Sequence, residues 1–463
     1  MSAESQTPLI MVANRGEIAL RLVRGIHDLG MRALVVYDDV DSDLPFVVSA
    51  DEAVEISGDG KSPYLDAKRL VDVARAAGAS AVHPGYGFLS EKASFAEAVI
   101  QAGISWIGPS PSAIEAMGDK VRSKQLMVAS GVPVVPGTAA AVNNVETALG
   151  DARDIGYPVM LKSSAGGGGM GMVIARDEED LAAQFEPAQI RAQHLFNDPT
   201  LLLERYIEHA RHIEIQIFGL ADGTIVALGE RDCSVQRRHQ KVVEESPSPM
   251  VDAGLRHSLN ETAIKAGEAI GYLGAGTVEF VVDAVTGEYF FLEMNTRLQV
   301  EHPVTECVMG VDLVAEQIRL ALGMDNTLGD IAPEPKGHAI ELRIYAEDPV
   351  RFFPSPGPIN QWIEPSGEGV RVDAGYMTGN TVSRRYDPLL AKLIAYGTDR
   401  SEALAVARRA VAGFTIDGPR TNLPFLLRLL DEDAFVSGQY DTGLIASMKL
   451  ATAPAVAAQG ALS

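Results

Sequence analysis

Two cysteines, Cys233 and Cys307, are all that the 463 residues contain. They are too few for a disulfide framework and lack the Cys-x-x-Cys spacing of a zinc site, so the chain suits a reducing compartment. Positive charge is also scarce: 39 Lys and Arg stand against 62 Asp and Glu, a formal net charge of −23. Such a field repels a phosphate backbone and an anionic leaflet, which makes nucleic acid and membrane surfaces poor partners. No run of 18 apolar residues occurs, and Met1–Pro8 has neither the basic nor the apolar region of a secretory signal. A soluble, cytoplasmic protein is expected. With 46% hydrophobic and 22% charged residues the composition is globular. The length exceeds the ~250–300 residues at which one core stops growing, so about three domains are expected.

Both common nucleotide fingerprints are missing. An apolar strand at Leu9–Ala13, a turn, helix-spaced apolar residues at Ile18, Leu22, Val23, Ile26 and Leu29 with a stop at Gly30, and a second strand at Ala33–Tyr37 predict a βαβ unit in a parallel, Rossmann-like sheet. Only Gly16 occupies the first turn, however, where a dinucleotide site needs Gly-x-Gly-x-x-Gly, so this region reads as scaffold. The Gly108-Pro109-Ser110-Pro111 break sets a first boundary near 115, and Ala332-Pro333-Glu334-Pro335 reads as a linker to a third domain. Ala451–Ser463 is Ala-rich without periodicity and reads as a tail.

Chemistry concentrates in the middle. Lys162 is followed by four consecutive glycines, Gly166–Gly169, then Met170 and Gly171, with apolar runs at Tyr157–Leu161 and Met172–Ala175 on either side. In a P-loop the lysine follows the glycines and a helix comes next; here the order is reversed, which leaves two readings, a hairpin lid whose backbone N–H groups approach an anion and a plain surface turn. A cationic group, Arg231 and Arg237-Arg238-His239-Gln240-Lys241, stands out in so acidic a chain; such a run reads either as a solvated face or, with the carboxylates downstream, as part of a site. Glu279, in the strand Gly276–Val282, and Glu293 and Asn295, in Tyr289–Asn295, are joined through a Thr286-Gly287 turn. Side-chain alternation puts Glu293 and Asn295 on one face with Glu279 beside them, an all-oxygen set suited to Mg²⁺ or Mn²⁺ rather than zinc. Arg297-Leu298-Gln299-Val300-Glu301-His302-Pro303 follows directly, and Arg343 lies with Glu341 on the polar face of the strand His338–Ile344. Together these residues describe a site for several anions at once.

The segments Ala13–Ala19, His83–Glu91, Glu230–Ser234, Gln236–Lys241 and Glu293–Glu306 resemble, in order, signatures of the biotin carboxylases within the ATP-grasp superfamily. That resemblance implies an α/β fold of three domains: 1–115, a Rossmann-like N-terminal domain; 116–331, the ATP-grasp domain with a lid at about 133–203; and 332–450, a C-terminal domain before the 451–463 tail. It implies that Lys120, Lys162, Gly168, Gly169, Glu204, Arg205, Tyr206, Ile207, His212, Gln236 and His239 bind ATP, with Glu279, Glu293 and Asn295 holding the metal, two ions in all. Bicarbonate would meet Lys241, Arg297, Gln299, Val300 and Glu301, the last as general base, and Arg343 and Tyr86 would face biotin. The implied reaction is ATP-dependent carboxylation of biotin on a biotin carboxyl carrier protein, in a homodimer serving carboxyltransferase subunits, as in the acyl-CoA carboxylases of fatty acid biosynthesis. Met170 stands where many members have a basic residue, which predicts weaker ATP affinity, and Arg384-Arg385 is more basic than the family pattern. Ala446–Leu450 looks like a biotinylation motif but has too few residues around it for a biotinyl domain, so biotin is expected on another chain. Two other readings stay open on these residues: an ATP-grasp ligase for a different carboxylate, and a non-catalytic nucleotide-binding subunit. The Arg297–Glu301 segment with Arg343 argues against the first, and the full set of charged residues against the second.

Overall fold

The structure is a computed structural model and describes residues 7–58, 62–138, 140–163, 172–330 and 334–448. The first region is a five-stranded parallel sheet of β1 (Leu9–Val12), β2 (Arg32–Tyr37), β3 (Glu52–Glu55), β4 (Ala81–His83) and β5 (Ser105–Trp106), in the order β3-β2-β1-β4-β5. The expected helix runs over Gly16–Asp28 and buries Ile18, Leu22, Val23 and Ile26 against the sheet. Gly30, at φ +70°, takes the left-handed conformation that ends the helix without a Cβ penalty.

The next strands are antiparallel. β6 (Val159–Ser163) pairs with both β7 (Val173–Ala175) and β8 (Leu201–Arg205), and the helices Val145–Ile155 and Glu178–Phe196 supply its apolar cover. The glycine-rich stretch between β6 and β7, with the predicted Gly168, Gly169 and Met170, lies outside the described residues.

The largest element is an eight-stranded sheet. β9 (Ala210–Gly219), β10 (Ile225–Arg237), β11 (Gln240–Ser246), β12 (Gly274–Asp283), β13 (Tyr289–Asn295) and β14 (His338–Tyr345) join the strands Leu389–Gly397 and Val370–Ala374. The predicted hairpin is β12–β13. The chain beyond the Pro-rich segment does not start a separate sheet: β14 pairs antiparallel with β11, Val243 opposite Leu342. That pairing satisfies an edge of β11 that would otherwise expose unpaired N–H and C=O groups. Arg385 has a clear structural role: its Nη1 lies 3.1 Å from Asp38 and 2.5 Å from Asp39, and the Tyr386 hydroxyl donates to Asp38 at 2.6 Å, latching this region to the first sheet. Arg384 is exposed. No helix among the described residues is long and apolar enough to cross a membrane.

Candidate active site

The site grows from alternation on β9. Ile213, Ile215 and Ile217 face a hydrophobic core, which turns His212, Glu214 and Gln216 to the opposite face. Register then brings charge together: Glu214 lies opposite Arg231 on β10 and Glu279 on β12, and Glu279 lies opposite Glu293 on β13. A polar face of this kind is stable when buried only if its groups are paired.

Arg231 does much of the pairing. The side chain is fully buried, and all five N–H donors are used: on Glu214 at 2.5 Å, Gln216 at 2.7 Å, Thr277 at 3.0 Å, Gln299 at 2.8 Å and Thr305 at 3.0 Å. The sequence placed Arg231 in a cationic group that could have been a solvated face; the structure makes it the strut beneath the site. Arg237, from the same group, is held by Glu347 at 2.7 Å.

Lys241 projects above that strut. Its ammonium reaches Glu214 at 2.6 Å, Glu279 at 3.0 Å and Glu301 at 2.6 Å. Burial disfavours the charge, but these carboxylates raise the Lys241 pKa well above normal. Glu301 is shared: Oε1 takes Lys241, and Oε2 accepts from Arg343 at 2.9 Å. Burial would push the Glu301 carboxyl up, yet Lys241, Arg343 and Arg231 hold it well below its usual range. Arg343 also stands 2.7 Å from Glu244, whose carboxyl is pushed by burial to about 7 against the opposing pull of Arg343.

Glu279 is engaged on both oxygens. Oε1 accepts from Lys241, from Asn295 at 2.8 Å and from Gln299 at 2.7 Å, while His212 Nε2 lies 2.7 Å from Oε2. Burial opposes its charge, but Lys241 and His212 keep its pKa well below normal. Arg297 donates to Asn295 at 2.8 Å and to Glu91 at 3.0 Å. Glu279, Glu293 and Asn295 thus occupy two neighbouring strands with oxygen donors at their tips, and the Asn295 amide already touches Glu279. This donor set fits a hard divalent cation.

Beside these carboxylates opens a cleft of about 1000 Å³, lined by His212, Gln236 and His239 and by the apolar Val281, Leu292 and Ile445. Arg211, Arg237, Arg238 and Arg351 also line it, so apolar side chains and several cations share the cleft, a mixture that suits a base together with its anionic phosphates. Lys162 and Glu204 form a second group on β6 and β8, where Glu204 is paired with both Lys162 and Lys124. Arg205 lies 3.1 Å from Glu288, the Tyr206 amide donates to Pro158 at 2.8 Å, and Ile207 is buried. Lys120 opens the helix Lys120–Ala129, capped by Asp119, but its side chain is outside the described set. The Val300 carbonyl accepts from Lys392 at 2.9 Å, and the buried Tyr86 hydroxyl makes no hydrogen bond. Glu214, Glu244, Lys124 and Lys392 were not anticipated. The His-Ile-Glu-Ile-Gln-Ile alternation at 212–217 was the available signal for Glu214.

Three family comparisons cover the chain. The family "Biotin carboxylase, N-terminal domain" matches residues 6–114, "Carbamoyl-phosphate synthase L chain, ATP binding domain" matches 119–328, and "Biotin carboxylase C-terminal domain" matches 341–447. The chain is 47% identical to biotin carboxylase 1 of Bacillus subtilis, over 94% of its own length and 97% of the relative's. A biotin carboxylase complex from Campylobacter jejuni superposes with a TM-score of 0.88 at 42% identity, covering 96% of this chain and 99% of that one. The biotin carboxylase domain dimer of Hydrogenobacter thermophilus 2-oxoglutarate carboxylase, solved with MgADP, ADP and bicarbonate, gives 0.86 at 44%, covering 95% and 97%.

Proposed function

Because the chain belongs to the biotin carboxylases, we propose that the cluster around Lys241, Glu301 and Arg343 is where bicarbonate is activated and its carbon passed to the biotin of a carrier protein. One observation carries this reading: Glu301 offers one oxygen to Lys241 and the other to Arg343, so a single carboxylate touches a cation of the anion pocket and the arginine meant for biotin.

Bicarbonate is a weak nucleophile. Glu301 takes its proton while Lys241 and Arg297 hold the negative charge, and the freed oxygen attacks the γ-phosphorus of ATP, releasing ADP and leaving carboxyphosphate. Glu301 is ionised at neutral pH, as an acceptor must be. Its basicity rises when Lys241 turns to the substrate anion and withdraws from it. Carboxyphosphate then splits into CO₂ and phosphate. Phosphate removes the N1′ proton of biotin, Arg343 stabilises the charge moved onto the ureido oxygen, and N1′ attacks CO₂. Glu279, Glu293 and Asn295 would hold Mg²⁺ or Mn²⁺, two ions in all, which neutralises phosphate charge. ATP would lie in the cleft of His212, Gln236 and His239, with Lys120, Lys162, Gly168, Gly169 and Glu204–Ile207 closing on it and water kept out. Gln299 and Val300 would complete the bicarbonate pocket, and Tyr86 the biotin site.

The same reading takes the chain as three domains, 1–115, 116–331 and 332–450, acting as a homodimer with carrier and carboxyltransferase subunits in the cytoplasm. The dimer named for the Hydrogenobacter structure and the two unpaired cysteines support it. An ATPase assay with bicarbonate, with and without biotin or biotinylated carrier, tests the proposal. Bicarbonate-dependent ADP release with label transferred to biotin is expected; ATP cleavage indifferent to bicarbonate overturns it.

A further inference from the structure

One buried ammonium joins three distant parts of the chain. Lys392, fully buried on the strand Leu389–Gly397, donates to the Val300 carbonyl at 2.9 Å and pairs with Glu17 of the helix Gly16–Asp28 at 3.2 Å. Its strand neighbours are Arg343 on one side and Asp373 on the other, each directly opposite it in register. Lys392 and the biotin-facing arginine therefore stand side by side on one face of the sheet.

The backbone at Glu17 is closely packed. The approach of Gly375 to this helix is so close that a Cβ there would lie 2.6 Å from the Glu17 amide nitrogen. Residue 299 is also anchored, because buried His302 Nδ1 lies 2.8 Å from the Gln299 carbonyl. A carbonyl only accepts, so Nδ1 carries the proton. Burial holds this imidazole neutral, with its pKa well below normal. The backbone before Glu301 is thus clamped at two successive carbonyls, and Glu301 itself spans Lys241 and Arg343.

We propose that Lys392 is a positioning residue: it fixes the Val300 carbonyl, and through it the 299–301 segment, so that the bicarbonate pocket and Glu301 keep their places beside Arg343. The inference rests on the assignment of that segment to bicarbonate. Lys392 touches no reacting atom. Its work is to transmit the seating of the first helix to the loop, so the pocket is complete only when the regions containing Glu17, Val300 and Lys392 are docked together.

The test compares Lys392→Met, Glu17→Gln and Glu301→Gln by bicarbonate KM, kcat, ATP affinity and melting temperature. Lys392→Met is expected to raise the bicarbonate KM about tenfold, the scale of one lost buried hydrogen bond, with ATP affinity within about twofold of wild type. Glu17→Gln, which keeps the Val300 bond, should fall between wild type and Lys392→Met. If Lys392→Met does not fold, the double variant Glu17→Gln/Lys392→Met, in which Glu17 carries no charge and buried Asp373 loses Lys392 but keeps Arg371, carries the same expectation. Failure of both to fold, or equal weakening of ATP and bicarbonate, overturns the inference in favour of a purely structural lysine. Normal bicarbonate-dependent turnover in Glu301→Gln would sink the pocket assignment instead; a damaged Glu301→Gln beside a normal Lys392→Met would sink this inference alone.

Discussion

Replacing Glu244 with Gln should stabilise the protein more as pH rises. Glu244 is fully buried, lies directly opposite Glu341 on β14, and stands 2.7 Å from Arg343. Burial is the main cause of its raised pKa, opposed by Arg343 and reinforced by Glu301, and carries it from an ordinary 4.5 to about 7. Glu341, equally buried and without a hydrogen bond on either oxygen, is pushed well up by the same burial, with Lys392 and Arg343 opposing and Glu244 and Glu301 reinforcing. A carboxyl whose folded pKa is raised contributes its stability fully below about 4.5 and loses it as pH rises through about 7. The whole interval is worth about 3 kcal/mol, of which about 2 kcal/mol falls between roughly pH 5.5 and 8.5. Gln has no such dependence. At the unfolding entropy of a chain this long, about 1 kcal/mol per kelvin, Glu244→Gln should gain about 2 °C on wild type across that range. Differential scanning fluorimetry at several pH values measures the gap. Melting curves that stay parallel, or a gap that shrinks as pH rises, would refute a carboxyl that resists ionisation behind Arg343.

Glu279→Gln or Glu293→Gln should abolish turnover at limiting Mg²⁺ with folding retained, because one anionic oxygen is lost where phosphate charge must be neutralised; near-normal rates by a coupled ADP assay would remove the metal assignment. Arg343→Ala should lower carboxybiotin formation about 10²–10³-fold, the scale of one lost oxyanion donor, while bicarbonate-dependent ATP cleavage falls much less. Glu301→Gln should depress both activities, and equal losses for Arg343→Ala would refute the division of labour. Arg385→Ala should leave the melting temperature nearly unchanged, since Arg385 and Asp39 are exposed and buried Asp38 keeps its bond from the Tyr386 hydroxyl; a melting shift of many degrees would show the latch to matter more than its exposure allows.

Much of the architecture was legible because it rests on local rules. The helix Gly16–Asp28 follows from apolar spacing and the Gly30 stop, and the β12–β13 hairpin from two apolar strands around a Thr286-Gly287 turn. The motifs around 83–91, 230–241 and 293–306 were specific enough to point to the family that the comparisons identify. Glu279 and Glu293 face each other because strand alternation and hairpin register leave little choice.

Tertiary structure alone decided which charges are buried and what they meet. Lys241 finds Glu301 across 60 residues, and Arg231 finds Thr305 across 74. Nothing local distinguishes Arg231, wholly enclosed, from Arg238 a few positions on. Glu214, Glu244 and Lys392 read as ordinary polar positions in strands, since alternation predicts a face and not whether that face is covered. The pairing of β14 with β11 was equally invisible: a Pro-rich segment suggests a boundary, whereas the unfilled edge of β11 accepts the strand that follows it. The sequence by itself determined the elements, the family and the residue types of the site; the cover over the sheet and the joining of its two halves determined which carboxylates stay ionised, which are forced towards neutrality, and which lysine holds the loop, because desolvation and Coulomb attraction act through space and not along the chain.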